Sequence, residues 1–148
     1  MKQLKIVTML LLCSILYACP DNENGHRNIA FVNKSGKYIE CQAFWSGHIT
    51  NADTLFQCRV GSIPIPIDSL FYFSSLNDSW ETDFNAIPFL QFLIMDAETF
   101  GYYANLVDWH IRDNCDTIRN NVPILHRYQL TLEDLQRMNW TVVYPPEQ

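Results

Sequence analysis

The chain has no Gly-x-Ser-x-Gly, no His-Glu-x-x-His, no Cys-x-x-Cys and no glycine-rich phosphate loop. Each absence removes the main support for a function class: serine hydrolase, zinc protease, dithiol redox protein or nucleotide binder. Cations are also scarce, ten Lys and Arg against sixteen Asp and Glu, for a formal charge of -6. That balance argues against nucleic acid or anionic lipid headgroups as partners. The four histidines, His26, His48, His110 and His126, are scattered without ligand spacing, so neither a metal nor another cofactor is expected. A Cys58 or Cys115 nucleophile paired with one of them is the remaining catalytic arrangement. Isolated Cys and His residues occur in most domains of this size, and the chain is therefore read as non-enzymatic.

Nor is there an apolar run long enough to span a bilayer. The longest opens the chain: Ile6 to Ala18 follows the basic Lys2 and Lys5 and falls short of the roughly 20 residues a spanning helix needs. Leu16-Tyr17-Ala18-Cys19 then has the form of a bacterial lipobox. Small Ala18 is the residue before cleavage, and Cys19 becomes the lipidated N-terminus. Two or more acyl chains hold a protein stably at a membrane, so no second membrane element is required. The polar stretch Pro20-Asp21-Asn22-Glu23-Asn24-Gly25 reads as a flexible tether, and its acidic residues resemble the cell-surface export signal of Bacteroidales lipoproteins. The expected organisation is a signal peptide over 1–18, lipidated cysteine and tether over 19–27, and one globular domain over 28–148.

Removing residues 1–18 leaves 130 residues, one domain's worth of chain, and takes away two lysines and no acid, moving the charge to -8. Cys41, Cys58 and Cys115 then remain, an odd set that permits one disulfide at most. A Cys41–Cys58 bridge would contribute about 3 kcal/mol on the chain-entropy model. Three free thiols packed as small hydrophobes are the alternative.

Hydrophobic periodicity predicts a mainly β fold with short helices, a single-domain antiparallel arrangement like a β-sandwich, with α+β as the alternative. Residues 28–33 and 38–45 read as strands of a hairpin joined by Lys34-Ser35-Gly36-Lys37. In the second strand Ile39, Cys41, Ala43 and Trp45 share the face expected inward; Tyr38, Glu40, Gln42 and Phe44 share the other. Further strands are predicted over 55–60 and 70–73. Between them Ile63-Pro64-Ile65-Pro66-Ile67 is extended and kept from a sheet centre by its prolines. Asp78 with Glu81 resembles a capping box for a short helix burying Trp80 and Phe84. Residues 89–95 (FLQFLIM) are apolar on both faces, as a strand covered on both sides would be, and Asp96 looks like the N-cap of a helix carrying Phe100 and Tyr103. Residues 105–121 read as a polar loop.

The ending is the most legible part. A strand over 124–130 leads to Thr131, which caps a short helix with Leu132 and Leu135 inward, and residues 140–144 form a last strand stopped by Pro145 and Pro146. RYQLTLEDLQRMNWTVVYP, over 127–145, resembles the closing signature of a family of small Bacteroidales lipoproteins. Asn33-Lys34-Ser35-Gly36 resembles the Asn-x-Ser-Gly of that family's opening strand. The resemblance implies lineage and an envelope location, in the outer membrane on its periplasmic or outer side; it implies no activity. Fold closure already accounts for the signature, with Thr131 as cap and Leu132, Leu135, Trp140 and Val142 as core residues.

Two surface features stand out. Asp53-Thr54-Leu55, Asp68-Ser69-Leu70 and Asp116-Thr117-Ile118 each resemble the O-glycan acceptor of Bacteroidales exported proteins, where composition alone gives roughly 0.4 such triplets. Asp-Ser and Asp-Thr pairs also form turns, which is the alternative explanation. Of the tryptophans only Trp109, between Asp108 and His110, is a candidate exposed platform. The chain is thus expected to be a lipid-anchored envelope lipoprotein whose domain binds a protein or glycan partner or serves a structural role. A glycan-binding accessory or a hydrolase with an unrecognised site is the alternative.

Overall fold

The computed structural model describes residues 25–45, 61–106 and 115–146. In chain order these form β1 (Asn28–Asn33), β2 (Ile39–Trp45), β3 (Ile63–Ile65), β4 (Leu70–Ser74), helix α1 (Trp80–Phe84), β5 (Leu90–Asp96), α2 (Ala97–Leu106), α3 (Cys115–Asn121), β6 (Ile124–Leu130), α4 (Leu132–Arg137) and β7 (Thr141–Tyr144). The strands make a three-stranded sheet, β4-β1-β7, and a four-stranded sheet, β3-β2-β5-β6. Every pairing is antiparallel except the parallel β1–β7 pair. The fold is mainly β with short helices.

One core lies between the sheets. Ile29, Phe31, Phe73 and Val142 enter it from the smaller sheet, and Ile39, Cys41, Leu90, Phe92, Ile94, Tyr128 and Leu130 from the larger. Phe31 meets Phe92 with ring centroids 5.4 Å apart, and Phe73 meets Phe92 at 4.9 Å. Each such buried side chain contributes about 1.5–3 kcal/mol through apolar burial. A second cluster covers the other face of the larger sheet, where Phe44, Leu93 and Met95 pack against Phe100 of α2 and Ile118 and Val122 at α3. Strand β5 is therefore buried on both sides, as its unbroken apolar run predicted.

The first two strands do not form the expected hairpin. Strand β1 is flanked by β4 and β7, and β2 by β3 and β5, so the two lie in different sheets. Asn33 explains the crossing. Its fully buried carboxamide reaches the carbonyls of Lys37, Ile65 and Pro66 at 2.8, 3.1 and 3.0 Å, and its oxygen accepts from the Ser35 N–H and hydroxyl. One side chain thus folds the 34–38 connection and ties the end of β1 to β3. Tyr128 makes a second tie between sheets, donating its hydroxyl to the Val143 carbonyl at 2.6 Å.

Helix ends follow local chemistry, with two corrections. Helix α1 is capped by Ser79 rather than Asp78, because Ser79 is the extended residue whose Oγ accepts from the Thr82 N–H at 3.2 Å. The 105–121 segment is not all loop: α2 runs to Leu106, and α3 lies over Cys115–Asn121, held to the sheet by buried Ile118 and Val122. Two apolar residues four apart were hidden among polar ones. Asp96 caps α2, accepting from the Thr99 N–H at 2.8 Å. Helix α4 has the expected Thr131 capping box, completed by Asp134. Its far end is a Schellman turn: Asn139 takes the left-handed conformation (φ 48°), its N–H bonds Gln136, and the Trp140 N–H bonds Leu135. Trp140 (φ 56°) belongs to this turn, so β7 begins one residue later than predicted.

Candidate functional site

The face of β2 expected outward proves to be covered. Glu40, Gln42 and Phe44 are buried, Phe44 in the cluster that holds Phe100 of α2 and Ile118 and Val122 at α3, and Glu40 retains only 6 % of its exposure. At Glu40 the helical cover ends. Edge strand β3 pairs here with Pro64 opposite Glu40, and α2 starts at Ala97, leaving an open groove of about 470 Å³. Tyr38, Glu40, Pro64, Glu98, Phe100 and Gly101 line it.

Burial pushes the Glu40 carboxyl above its ordinary value, an effect the Ser62 hydroxyl partly offsets by hydrogen bonding. Glu98 is exposed at the rim, and Tyr38 keeps about half its surface (48 %). Lys37 is exposed, and its charge acts on Asp96 at the start of α2. Gly101 sits inside α2, where a Cβ would meet nothing within 4 Å. Apolar Phe44, on the same strand face as Glu40 and Gln42, was the available sign that this face is covered.

At the other end of the domain, the residues just before β1 are clamped. The His26 ring stacks on Trp140, and its Nδ1 lies 2.7 Å from Glu81 Oε1, while the His26 N–H donates to Oε2 at 2.8 Å. The Trp80 N–H donates to the His26 carbonyl. Gly25 (φ 79°) makes this approach possible: a Cβ there would stand 2.5 Å from Glu81 Oε2 and 2.8 Å from Ser79 Cβ. Partial burial raises the Glu81 carboxyl, but the His26 hydrogen bond, backbone N–H groups and the His26 charge outweigh it and hold it below its ordinary value.

Cys41, expected to face the core, is a fully buried free thiol. Burial first, and then the neighbouring Glu40 charge, pushes its ionisation well up, so it is unsuited to nucleophilic work. Its candidate partner Cys58 lies outside the described residues, as do Ala18, Cys19, Thr54, His48, Trp109, His110 and the 55–60 strand. Ser69 sits in the turn before β4, and its hydroxyl donates to the Pro66 carbonyl at 2.7 Å. Thr117 is in α3 rather than a loop. His126, half-buried on β6, packs against Tyr128 at 4.4 Å, and burial lowers its pKa.

Among the described residues no group of three His, Cys, Asp or Glu side chains could hold a metal ion, and no helix is long and apolar enough to cross a membrane. No protein-family model, curated protein or solved structure matches the chain.

Proposed function

We propose that the chain is a lipid-anchored envelope lipoprotein, of the small Bacteroidales lipoprotein family it resembles, whose β-rich domain is a non-enzymatic binding module. The observation that carries the reading is the basic, short apolar leader ending in Ala18-Cys19. Cys19 lies six residues before Gly25, and six extended residues reach only about 20 Å. Because Gly25 and His26 are clamped to α1 and Trp140, the lipid would hold that end of the domain close to the outer membrane. Thr54, Ser69 and Thr117 are its proposed O-glycan acceptors.

Labelling with radioactive palmitate tests the anchor. Cys19→Ala abolishes incorporation and releases the protein from the membrane fraction; unchanged incorporation in that variant overturns the reading. Assays with peptide, ester and glycoside substrates test the non-enzymatic part, for which no turnover is expected.

A further inference from the structure

We propose that the groove between β3 and the first turns of α2 binds a small organic cation with an apolar body, its ammonium group held by Glu40 and its body lying against Tyr38 and Phe100. Charge complementarity selects this occupant. The groove carries two carboxylates, Glu40 and Glu98, and among the described residues no Lys, Arg or His lines it. An anion is repelled by both. A cation meets a carboxylate with little access to water, where a charge-assisted hydrogen bond is at its strongest. Tyr38 adds an exposed ring face for cation–π attraction.

Shape points the same way. The volume of about 470 Å³ falls within the range of small-ligand sites, roughly 300–1,000 Å³. Gly101 is the second, independent sign. Glycine inside a helix is less favourable than alanine, and nothing packs closely enough against Gly101 to demand it. What the missing side chain leaves open is the groove wall. A larger residue there would project into the space the ligand needs.

The inference rests on the domain being a binding module and is independent of the lipid, so palmitate labelling and ligand binding can fail separately. Isothermal titration calorimetry of the full chain in non-ionic detergent tests it, with phenethylammonium as the probe and 2-phenylethanol as its neutral counterpart. Phenethylammonium is expected to bind at least about tenfold more tightly than the alcohol, a difference of about 1.4 kcal/mol. Glu40→Gln is expected to remove that preference. Gly101→Leu, whose Cβ meets no atom within 4 Å, should abolish binding while leaving the melting temperature unreduced. Absence of phenethylammonium binding overturns the proposal. So does equal affinity for the alcohol, or unchanged binding in either folded variant.

Discussion

The His26 imidazole lies flat on the Trp140 indole, with ring centroids 4.2 Å apart and planes 16° from parallel. Trp140 is at once the last residue of the turn ending α4 and the residue that leads into β7, and its carbonyl accepts from the Ala30 N–H of β1. The contact therefore joins the approach to the first strand with the approach to the last. His26→Ala should lower stability by about 1 kcal/mol through lost stacking, and Trp140→Ala by about 3–5 kcal/mol as a buried aromatic truncation. Urea denaturation of both variants and of the double variant checks this. A double-variant loss smaller than the sum shows coupling; simple additivity shows that the rings do not stabilise each other.

The Asn33 side chain makes five hydrogen bonds that join β1, the following loop and β3. Asn33→Ala leaves the buried Ile65 carbonyl and the part-buried Lys37 carbonyl short of a donor and should lower stability by about 3 kcal/mol. Asn33→Asp should be no better, since a carboxylate cannot donate to the carbonyls of Lys37, Ile65 and Pro66. A loss well below 1 kcal/mol in denaturant titrations of Asn33→Ala would show the tie to be dispensable.

Glu40 carries a pH signature of definite sign. Its folded pKa is raised by burial, so folding favours the protonated acid. Its contribution is intact below the ordinary carboxyl value and is lost as pH rises through the raised one. Glu40→Gln should therefore melt higher than the natural chain at neutral pH, with the difference closing towards about pH 4. Equal melting temperatures at neutral pH would mean that Glu40 ionises there without penalty.

Glu81 and Asp134 run the opposite way. Both are held below their ordinary values: Glu81 because the His26 bonds overcome its desolvation, Asp134 chiefly by the Thr131 backbone and side-chain hydrogen bonds. The stability they contribute is present above the ordinary carboxyl values and disappears as pH falls through the lowered ones. Acid titration followed by circular dichroism should show Glu81→Gln and Asp134→Asn less stable than the natural chain at neutral pH, the gap narrowing in acid. A gap that widens in acid would reverse the assignment.

Changing Thr54, Ser69 and Thr117 together to Ala should lower the mass of protein purified from its native host by more than the substitutions account for. Ser69 is the informative position, because its hydroxyl is already engaged with Pro66. Intact masses that differ only by the substitutions would mark the Asp-Ser/Thr triplets as plain turns.

Most single elements were legible in order. Apolar, β-rich runs placed β1 and β2, the two-sided apolar run placed β5, and Asp96 and Thr131 marked the starts of α2 and α4. These signals are local, since strand period, side-chain capping and proline exclusion act over a few residues. Where a polar segment carried only a short apolar pair, as at Ile118 and Val122, that locality was not enough to reveal α3.

The sequence by itself determined the mainly β content and the inward face of β2, because each depends on neighbours along the chain. Tertiary structure decided the rest. An alternating strand does not state which strand will lie at its edge, so only the packing of Phe31 on Phe92 and the bonds of Asn33 sent β1 and β2 into different sheets. Likewise Glu40 came to line a groove only because the first turns of α2, formed far along the chain, pack beside it on that sheet face.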